Sequence, residues 1–308
     1  MKELQQLAKF ITNPQYRFYI LSRYGFFNYW PDEKYLKRKF ELVFDYELDL
    51  ENPQTFNEKI QWLKLYDRNP LYTTLVDKVA VKEYVANIIG KEYIIPTIGV
   101  YNNAEEIDFN KLPNQFVLKC NHNSGLGMYI CKDKRNLNIK KIKKELLKGL
   151  KQDYYMTNRE WPYKNVPRKI IAEQYMEDGQ TKELCDYKFF CFNGRPVFCQ
   201  VISDRSTNEC VDFFDMNWQH QNFTGLTKEF PNCAIEPIRP ISFDKMKKAC
   251  EVLTKNIPFI RVDFYEINGK MYFGELTFYP ASGFGKFHPN EWNKKIGDWL
   301  VLPNKKLW

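Results

Sequence analysis

The run FIRVDFYEINGKMYFGELTFYP, residues 259–280, carries the most informative chemistry in the chain. Strand residues alternate between faces, so Arg261 and Asp263 share one face of the first arm. Glu275 and Thr277 share a face of the returning arm. Carboxylates gathered on one sheet face repel each other unless a cation lies between them. Hard oxygen donors suit Mg²⁺, which would bridge to a nucleotide phosphate. Arg261 beside them can neutralise charge on a transferring phosphoryl group. Two unrelated surface carboxylates are the plainer alternative. The apolar strands around them weigh against it, because unpaired buried carboxylates are costly. A two-residue Asn268-Gly269 turn would oppose Asp263 to Gly274 and send Glu275 to the other face. A shared cation therefore requires a bulge or an odd-length loop in this hairpin.

Three other places hold chemistry-bearing residues. In FVLKCNHNSGLGMYI, residues 116–130, an apolar strand delivers Lys119, and a loop with Ser124, Gly125 and Gly127 follows. Glycines let backbone N–H groups approach an anion, and a lysine adds a point charge. Such a loop can cover phosphates, or it can be a plain turn with an edge lysine. In VDKVAVKEYV, Lys78 and Lys82 fall on one helical face, an arrangement that usually faces solvent. In IIAEQYMEDGQTKELCDYKFF, a strand ends in Glu173, Gln174, Tyr175 and Met176, where backbone groups can pair with a flat polar ring such as adenine. Asp186 and Lys188 share a face of the next strand. They can hold ribose hydroxyls and a phosphate, or form a cross-strand charge pair.

The elements that must position these residues are legible in outline. Residues 1–75 read mostly as helix, with Thr55 and Glu58 forming a capping-box pattern after Pro53. LVDKVAVKEYVANII reads as one helix stopped at Gly90, and YIIPTIGVY as extended. Residues 137–158 read as a Lys-rich amphipathic helix, and 243–256 as a short helix. CDYKFFCFNGRPVFCQVI and the 259–280 run read as hairpins around Asn193-Gly194 and Asn268-Gly269. The expected organisation is a helical N-terminal segment over 1–75, a smaller α+β lobe over 76–176 and a larger antiparallel α+β lobe over 177–308.

Composition narrows the classes. The 308 residues are 44% hydrophobic and 27% charged, which argues against disorder and allows about two domains. The net charge of +8 suits anionic partners without choosing among them. Residues 1–40 hold eight Lys/Arg against three Asp/Glu. The eight cysteines form no CxxC pair, and only three histidines are present, so zinc-ligand spacing is absent. The expectation is reduced, buried thiols. GxxxxGK[ST], GxSxG, HExxH and a strict Asp-x-Asp are absent, as are recognisable nucleic-acid modules. No run approaches the ~20 apolar residues of a membrane span, and the start lacks a signal-peptide pattern.

Taken in order, these pieces resemble the ATP-grasp superfamily, and more closely the TupA-like ATP-grasp family of bacterial surface-polysaccharide gene clusters. The phrases NPQTFNEKIQWLKLYDRNPLY, DKVAVKEYV, VLKCNHNSG, EQYM, DYKFFCFNGRP and RVDFY…GELTFYPASGF carry the resemblance from about residue 52 to 290. It implies an α+β ATP-grasp fold with two lobes sandwiching ATP. Lys78 and Lys119 would contact phosphates under the 121–127 loop with Ser124, Gly125 and Gly127. Glu173 and Tyr175 would flank adenine, with backbone contacts from Gln174 and Met176. Asp186 would lie near the ribose and Lys188 near the phosphates. Asp263 and Glu275 match magnesium carboxylates. Thr277 stands where the family pattern has Asn. Arg261 matches the arginine that stabilises the phosphorylated intermediate.

The activity implied is an ATP-dependent carboxylate–amine ligation through an acylphosphate, with ATP and Mg²⁺. The expected substrates are an amine and a uronic-acid or amino-acid carboxyl on a surface polysaccharide such as capsule. Arg205 and Lys286 are candidate contacts for an acidic substrate. The alternatives are a glycosyltransferase or sugar kinase of the same pathway, or a non-catalytic nucleotide-binding scaffold. A cytoplasmic location is expected. Peripheral contact with membrane-linked glycan at the inner membrane face would come through the basic, aromatic residues 1–40.

Overall fold

The computed structural model describes residues 2–179, 183–205, 208–226 and 230–305. Helices open the chain: α1 (Lys2–Thr12), α2 (Pro14–Arg23), α3 (Asp32–Phe44), α4 (Phe56–Tyr66), α5 (Leu71–Val76) and α6 (Ala80–Ile89). Their ends follow local chemistry. The Asn13 side chain caps α2, with Pro14 in the first turn. The Thr55–Glu58 capping box forms at α4 as the sequence predicts. Gly90, at φ 112°, ends α6. The single helix expected across 75–89 is broken, however. Asp77 takes an extended conformation, and its Oδ1 accepts from both Val79 N and Asn121 Nδ2 at 2.8 Å. Lys78 therefore lies in a break between two helices rather than on one face with Lys82.

A four-stranded antiparallel sheet follows, built from β1 (Thr97–Tyr101), β2 (Phe116–Cys120), β3 (Met128–Cys131) and β4 (Ile170–Gln174) in the order β1-β4-β2-β3. The expected 137–158 helix is two, α7 (Ile139–Lys151) and α8 (Tyr154–Asn158), because Asp153 caps a new start. Ile142 and Leu146 of α7 pack on Phe116, Leu118, Ile170 and Ala172 in a small separate core.

The second sheet is larger. It holds β5 (Asp186–Phe192), β6 (Arg195–Ser203), β7 (Cys210–Asp215), β9 (Phe259–Ile267) and β10 (Lys270–Thr277) in the antiparallel order β10-β9-β5-β6-β7. A short pair joins β8 (Thr224–Gly225) to β11 (Phe287–His288), and the helices α9 (Phe243–Leu253) and α10 (Glu291–Trp299) complete the chain. Both faces of this sheet are covered. Phe189 and Phe264 lie on the α9 side, where Phe189 meets the Phe243 ring at 5.4 Å. Phe192 and Phe259 lie on the other side, against Phe56 of α4. Full coverage explains why every residue of the central strand β5 is buried, where the sequence suggested alternation. The N-terminal helices join this same core through Phe18, Tyr35, Leu36 and Phe40.

The thiol expectation is corrected at one pair. Cys210 and Cys233 are disulfide-bonded, because the chain returning from the edge strand β7 brings their Cα atoms to 5.0 Å. Cys120, Cys131, Cys191, Cys199 and Cys250 are free and buried. Among the described residues, no helix is long and apolar enough to cross a membrane.

Candidate active site

The hairpin β9–β10 contains the irregularity that a shared site requires. Its turn has two residues, with Lys270 paired to Ile267, and the ladder stays regular to Phe273 opposite Phe264. Gly274 is then bulged out, and Glu275 pairs with Asp263 and Thr277 with Arg261. The extra residue resets the parity, so Glu275 and Thr277 join the face of Asp263 and Arg261. β5 lies alongside, with Lys188 directly opposite Asp263.

These side chains form one connected cluster. The Arg261 guanidinium donates from Nε to Asp263 Oδ1 and from Nη2 to Asp263 Oδ2, each at 2.6 Å. Nη2 also reaches Glu275 Oε1 and Thr277 Oγ1, both at 3.1 Å. Thr277 in turn donates to Glu275 at 3.3 Å. Lys188 donates to Asp263 and lies 3.4 Å from Asp186 Oδ1. Arg205, at the rim, pairs with Asp186 at 3.0 Å. Burial alone would raise the Glu275 carboxyl, but Lys78, Arg261, Lys188 and Lys119 together hold it down at about 2. Burial lowers Lys78, with Glu275 the largest opposing influence. Lys78 and Lys119 thus lie within electrostatic reach of the hairpin carboxylates, although Lys78 comes from the break between α5 and α6 and Lys119 from the other sheet.

On that other sheet, Glu173 is the centre of a three-residue knot. Its carboxylate takes Lys82 on one oxygen and Lys119 on the other, each at 2.5 Å. Lys82, read from the sequence as a solvent-facing residue, also donates to Ile95 O and Thr97 Oγ1. Gln174 N donates to Pro96 O at 3.0 Å, and Lys132 sits over the Tyr175 ring. Met176 is half-buried beyond them.

The glycine loop has two parts. Asn121, His122 and Asn123 are buried and bolted down. Asn121 bonds Asp77, Pro167 O and Lys169 N, while Asn123 bonds Gly149 O and Gln152. Lys78 Nζ donates to Asn123 O at 2.6 Å. Ser124, Gly125 and Leu126 form the exposed tip. Gly127 serves packing: at φ 72°, a Cβ there would lie 2.9 Å from Gly149 Cα of α7. The sequence reading missed Asn121 and Asn123. Their spacing around Lys119 carried no signal, because their partners lie about 25–50 residues away. Lys286 stands over the Phe44 ring at 5.9 Å, apart from the carboxylate cluster.

The donor set fits a divalent cation. Two carboxylates face each other across the bulge, and Glu275 leaves 40% of its side chain accessible. Oxygen donors of this type suit Mg²⁺. The Thr277 hydroxyl is a weak third donor, so the set is better matched to one ion than to two. Four cations act on Glu275, which also suits an anionic ligand such as a polyphosphate.

A protein-family model described as TupA-like ATPgrasp matches residues 58–301. The chain belongs to this family. No curated protein matches it in sequence. Among solved structures, it is similar to a D-alanine–D-alanine ligase from Bacillus anthracis complexed with ATP, with 19% identity and a TM-score of 0.38 over 67% of this chain and 54% of that one. It is also similar to the D-alanine–D-alanine ligase from Helicobacter pylori, with 15% identity and a TM-score of 0.39 over 81% and 70% of the two chains. For phosphoribosylamine–glycine ligase from Thermotoga maritima the identity is 14% and the TM-score 0.42, over 80% and 57%. The chain spans about half the length of the Bacillus ligase.

Proposed function

We propose that this chain is an ATP-dependent carboxylate–amine ligase that forms an amide through an acylphosphate. The observation that carries the reading is the Gly274 bulge, which turns Asp263 and Glu275 to one face beside Arg261 and Lys188. A bulge that serves only the turn has no reason to unite two carboxylates. Family membership supports the same reading. The working division is a helical segment over 1–75, a smaller lobe over 76–176 and a larger lobe over 177–308, with ATP between the lobes.

In this reading, Lys78 and Lys119 bind the phosphates, and the tip Ser124–Leu126 covers them. Gly125 and Gly127 give the loop its shape. Residues Glu173–Met176 border the adenine, and Asp186 faces the ribose. Asp263 and Glu275, with Thr277 beside them, would hold Mg²⁺, which supplies charge neutralisation to the phosphate oxygens. Lys188 and Arg261 orient the γ-phosphate and stabilise charge as it moves to the substrate carboxylate. ADP leaves, the amine attacks the acyl carbon and phosphate departs. Closure of the loop tip excludes water, which would otherwise hydrolyse the acylphosphate.

The substrate class we favour is a uronic-acid or amino-acid carboxyl of a surface polysaccharide. Arg205, at the rim with 45% of its side chain exposed, is suited to an acidic sugar. A cytoplasmic site, with the N-terminal helices against the inner membrane face, belongs to the same reading. The test is ATP turnover with Mg²⁺ against a panel of uronic and amino acids, with mass detection of new amides. Product amide with ADP and phosphate is expected. Asp263→Asn or Lys119→Ala should reduce turnover by at least ~100-fold, in line with losing a transition-state electrostatic contact. ADP with a phosphorylated sugar would instead identify a kinase. Unchanged turnover in both variants would overturn the site.

A further inference from the structure

The loop after the carboxylate hairpin, residues 279–285, is held in an unusual backbone state. Ala281 and Ser282 both take left-handed conformations, with φ 48° and 54°. Two consecutive non-glycine residues persist there only if their surroundings impose it. The clamp is α4. Asn57, Gln61 and Lys64 lie at i, i+4 and i+7 on one helical face, and all three are fully buried. Asn57 Nδ2 donates to Gly283 O at 2.9 Å and to Gly285 O at 3.0 Å. Gln61 Nε2 donates to Gly283 O at 2.8 Å, and Lys64 Nζ to Ser282 O at 2.7 Å. The helix grips carbonyl oxygens with its amides and its ammonium, and Lys64 also sits over the Tyr279 and Phe284 rings.

One of the loop's side chains has a buried carboxylate behind it. Ser282 Oγ donates to Glu160 Oε1 at 2.5 Å and accepts from Asn158 Nδ2 at 2.8 Å. A hydroxyl has one hydrogen and two lone pairs, so one lone pair remains for a third partner. Ser282 is half-buried while Glu160 is 3% exposed. Burial raises the Glu160 carboxyl, and Lys64, Ser282 and Lys39 oppose it. Ser282 follows Thr277, the last residue of β10, by five positions, and the rings of Tyr154 and Tyr163, 4.7 Å apart, feel the fields of Glu160, Glu275 and Arg261.

We propose that Ser282 and Glu160 are the proton-accepting pair for the amine that completes the ligation. The proposal rests on the ligase reading. The protonated amine gives one proton to Ser282 Oγ while the serine's own proton passes to Glu160, which frees the nitrogen lone pair, and the second N–H proton leaves with the phosphate. The nitrogen lone pair forms the C–N bond, the C–O bond to phosphate breaks, and phosphate leaves with that electron pair. Asn57, Gln61 and Lys64 are positioning residues. Lys64 from α4, Lys39 from α3, Tyr154 from α8, Tyr163, Tyr279 and Ser282 are the titratable, charged or bonded groups among the described residues that face Glu160.

The test compares two nucleophiles on the full chain with MgATP and D-glucuronate, D-galacturonate or L-glutamate. Hydroxylamine is unprotonated near neutral pH and needs no base, whereas methylamine is protonated and needs one. In Glu160→Gln, methylamide formation should fall at least ~100-fold while hydroxamate formation falls less than ~3-fold, the range a positioned base contributes. Raising the pH should restore the methylamide. Ser282→Ala should behave likewise, and Ser282→Gly, compatible with the left-handed backbone, guards against a folding defect. Equal losses with both nucleophiles at every pH, in variants that melt as the wild type does, would overturn the pair. If the wild type makes neither product with any carboxylate, the ligase reading itself fails and the pair falls with it. Amide formation lost only in the variants isolates the proton step.

Discussion

Lys64 is an ammonium group buried without exposure in α4. Burial pulls it down to about 7, against the opposing pull of Glu160. The unfolded lysine keeps its proton up to about 10.4, so between pH ~7 and ~10 the unfolded state binds more protons and stability rises with pH. Below pH ~7 both states are protonated and the burial penalty is present in full. Lys64→Met should flatten that rise in urea titrations from pH 6 to 10. It should also lower stability by about 1–3 kcal/mol, because it strips donors from buried carbonyls. An unchanged pH slope would remove Lys64 as its source. The sequence could not show this role. Asn57, Gln61 and Lys64 look like the solvated side of a helix whose apolar side is Phe56, Ile60 and Leu63, because their carbonyl partners come more than 200 residues later. Arg261, Asp263, Glu275 and Thr277 were legible, since period-two spacing and a turn signal lie within one short stretch.

The β9–β10 hairpin makes the parity argument physical. With a two-residue turn, the carboxylates meet only because Gly274 is counted out of the ladder. A Cβ at Gly274 would lie 3.1 Å from Asp263 O and 3.2 Å from Tyr265 Cε2. Gly274→Ala should therefore shift the strand by a few tenths of an ångström and misplace Glu275. Misplacements of about 1 Å cost ~100-fold in rate, so we expect a loss of roughly tenfold in turnover with a small fall in melting temperature. Wild-type turnover in that variant would show that the bulge does not set the carboxylate geometry. The need for the bulge was readable before its position was. The breaks at Asp77 and Asp153 were not readable, because one side chain capturing a backbone N–H outweighs the helical propensity of its neighbours. The Cys210–Cys233 bond was equally hidden, as it depends on how the edge strand returns.

The molecule has a large core around the five-stranded sheet and a small one around α7, and the charged cluster draws residues from both sides. The N-terminal helices split between two roles. Phe18, Tyr35, Leu36 and Phe40 are buried in the large core. Leu4, Leu7 and Ile11 of α1, spaced three and four apart, stay 56–72% exposed, with Lys9 on the same helix. With a net charge of +8, that stripe suits an anionic lipid surface. Sedimentation with phosphatidylglycerol vesicles at low salt should retain the protein, and Leu4→Gln combined with Leu7→Gln should release it. Failure of the wild type to sediment would dispose of the lipid contact. The tie between α4 and the 279–285 loop also has a consequence for synthesis. Asn57 meets Gly283 across 226 positions of chain. During translation, α4 leaves the ribosome long before the carbonyls it must grip exist. Its amides and its ammonium have to stay wet until the last strands emerge. The grip of α4 can close only after residues 283–285 have been made.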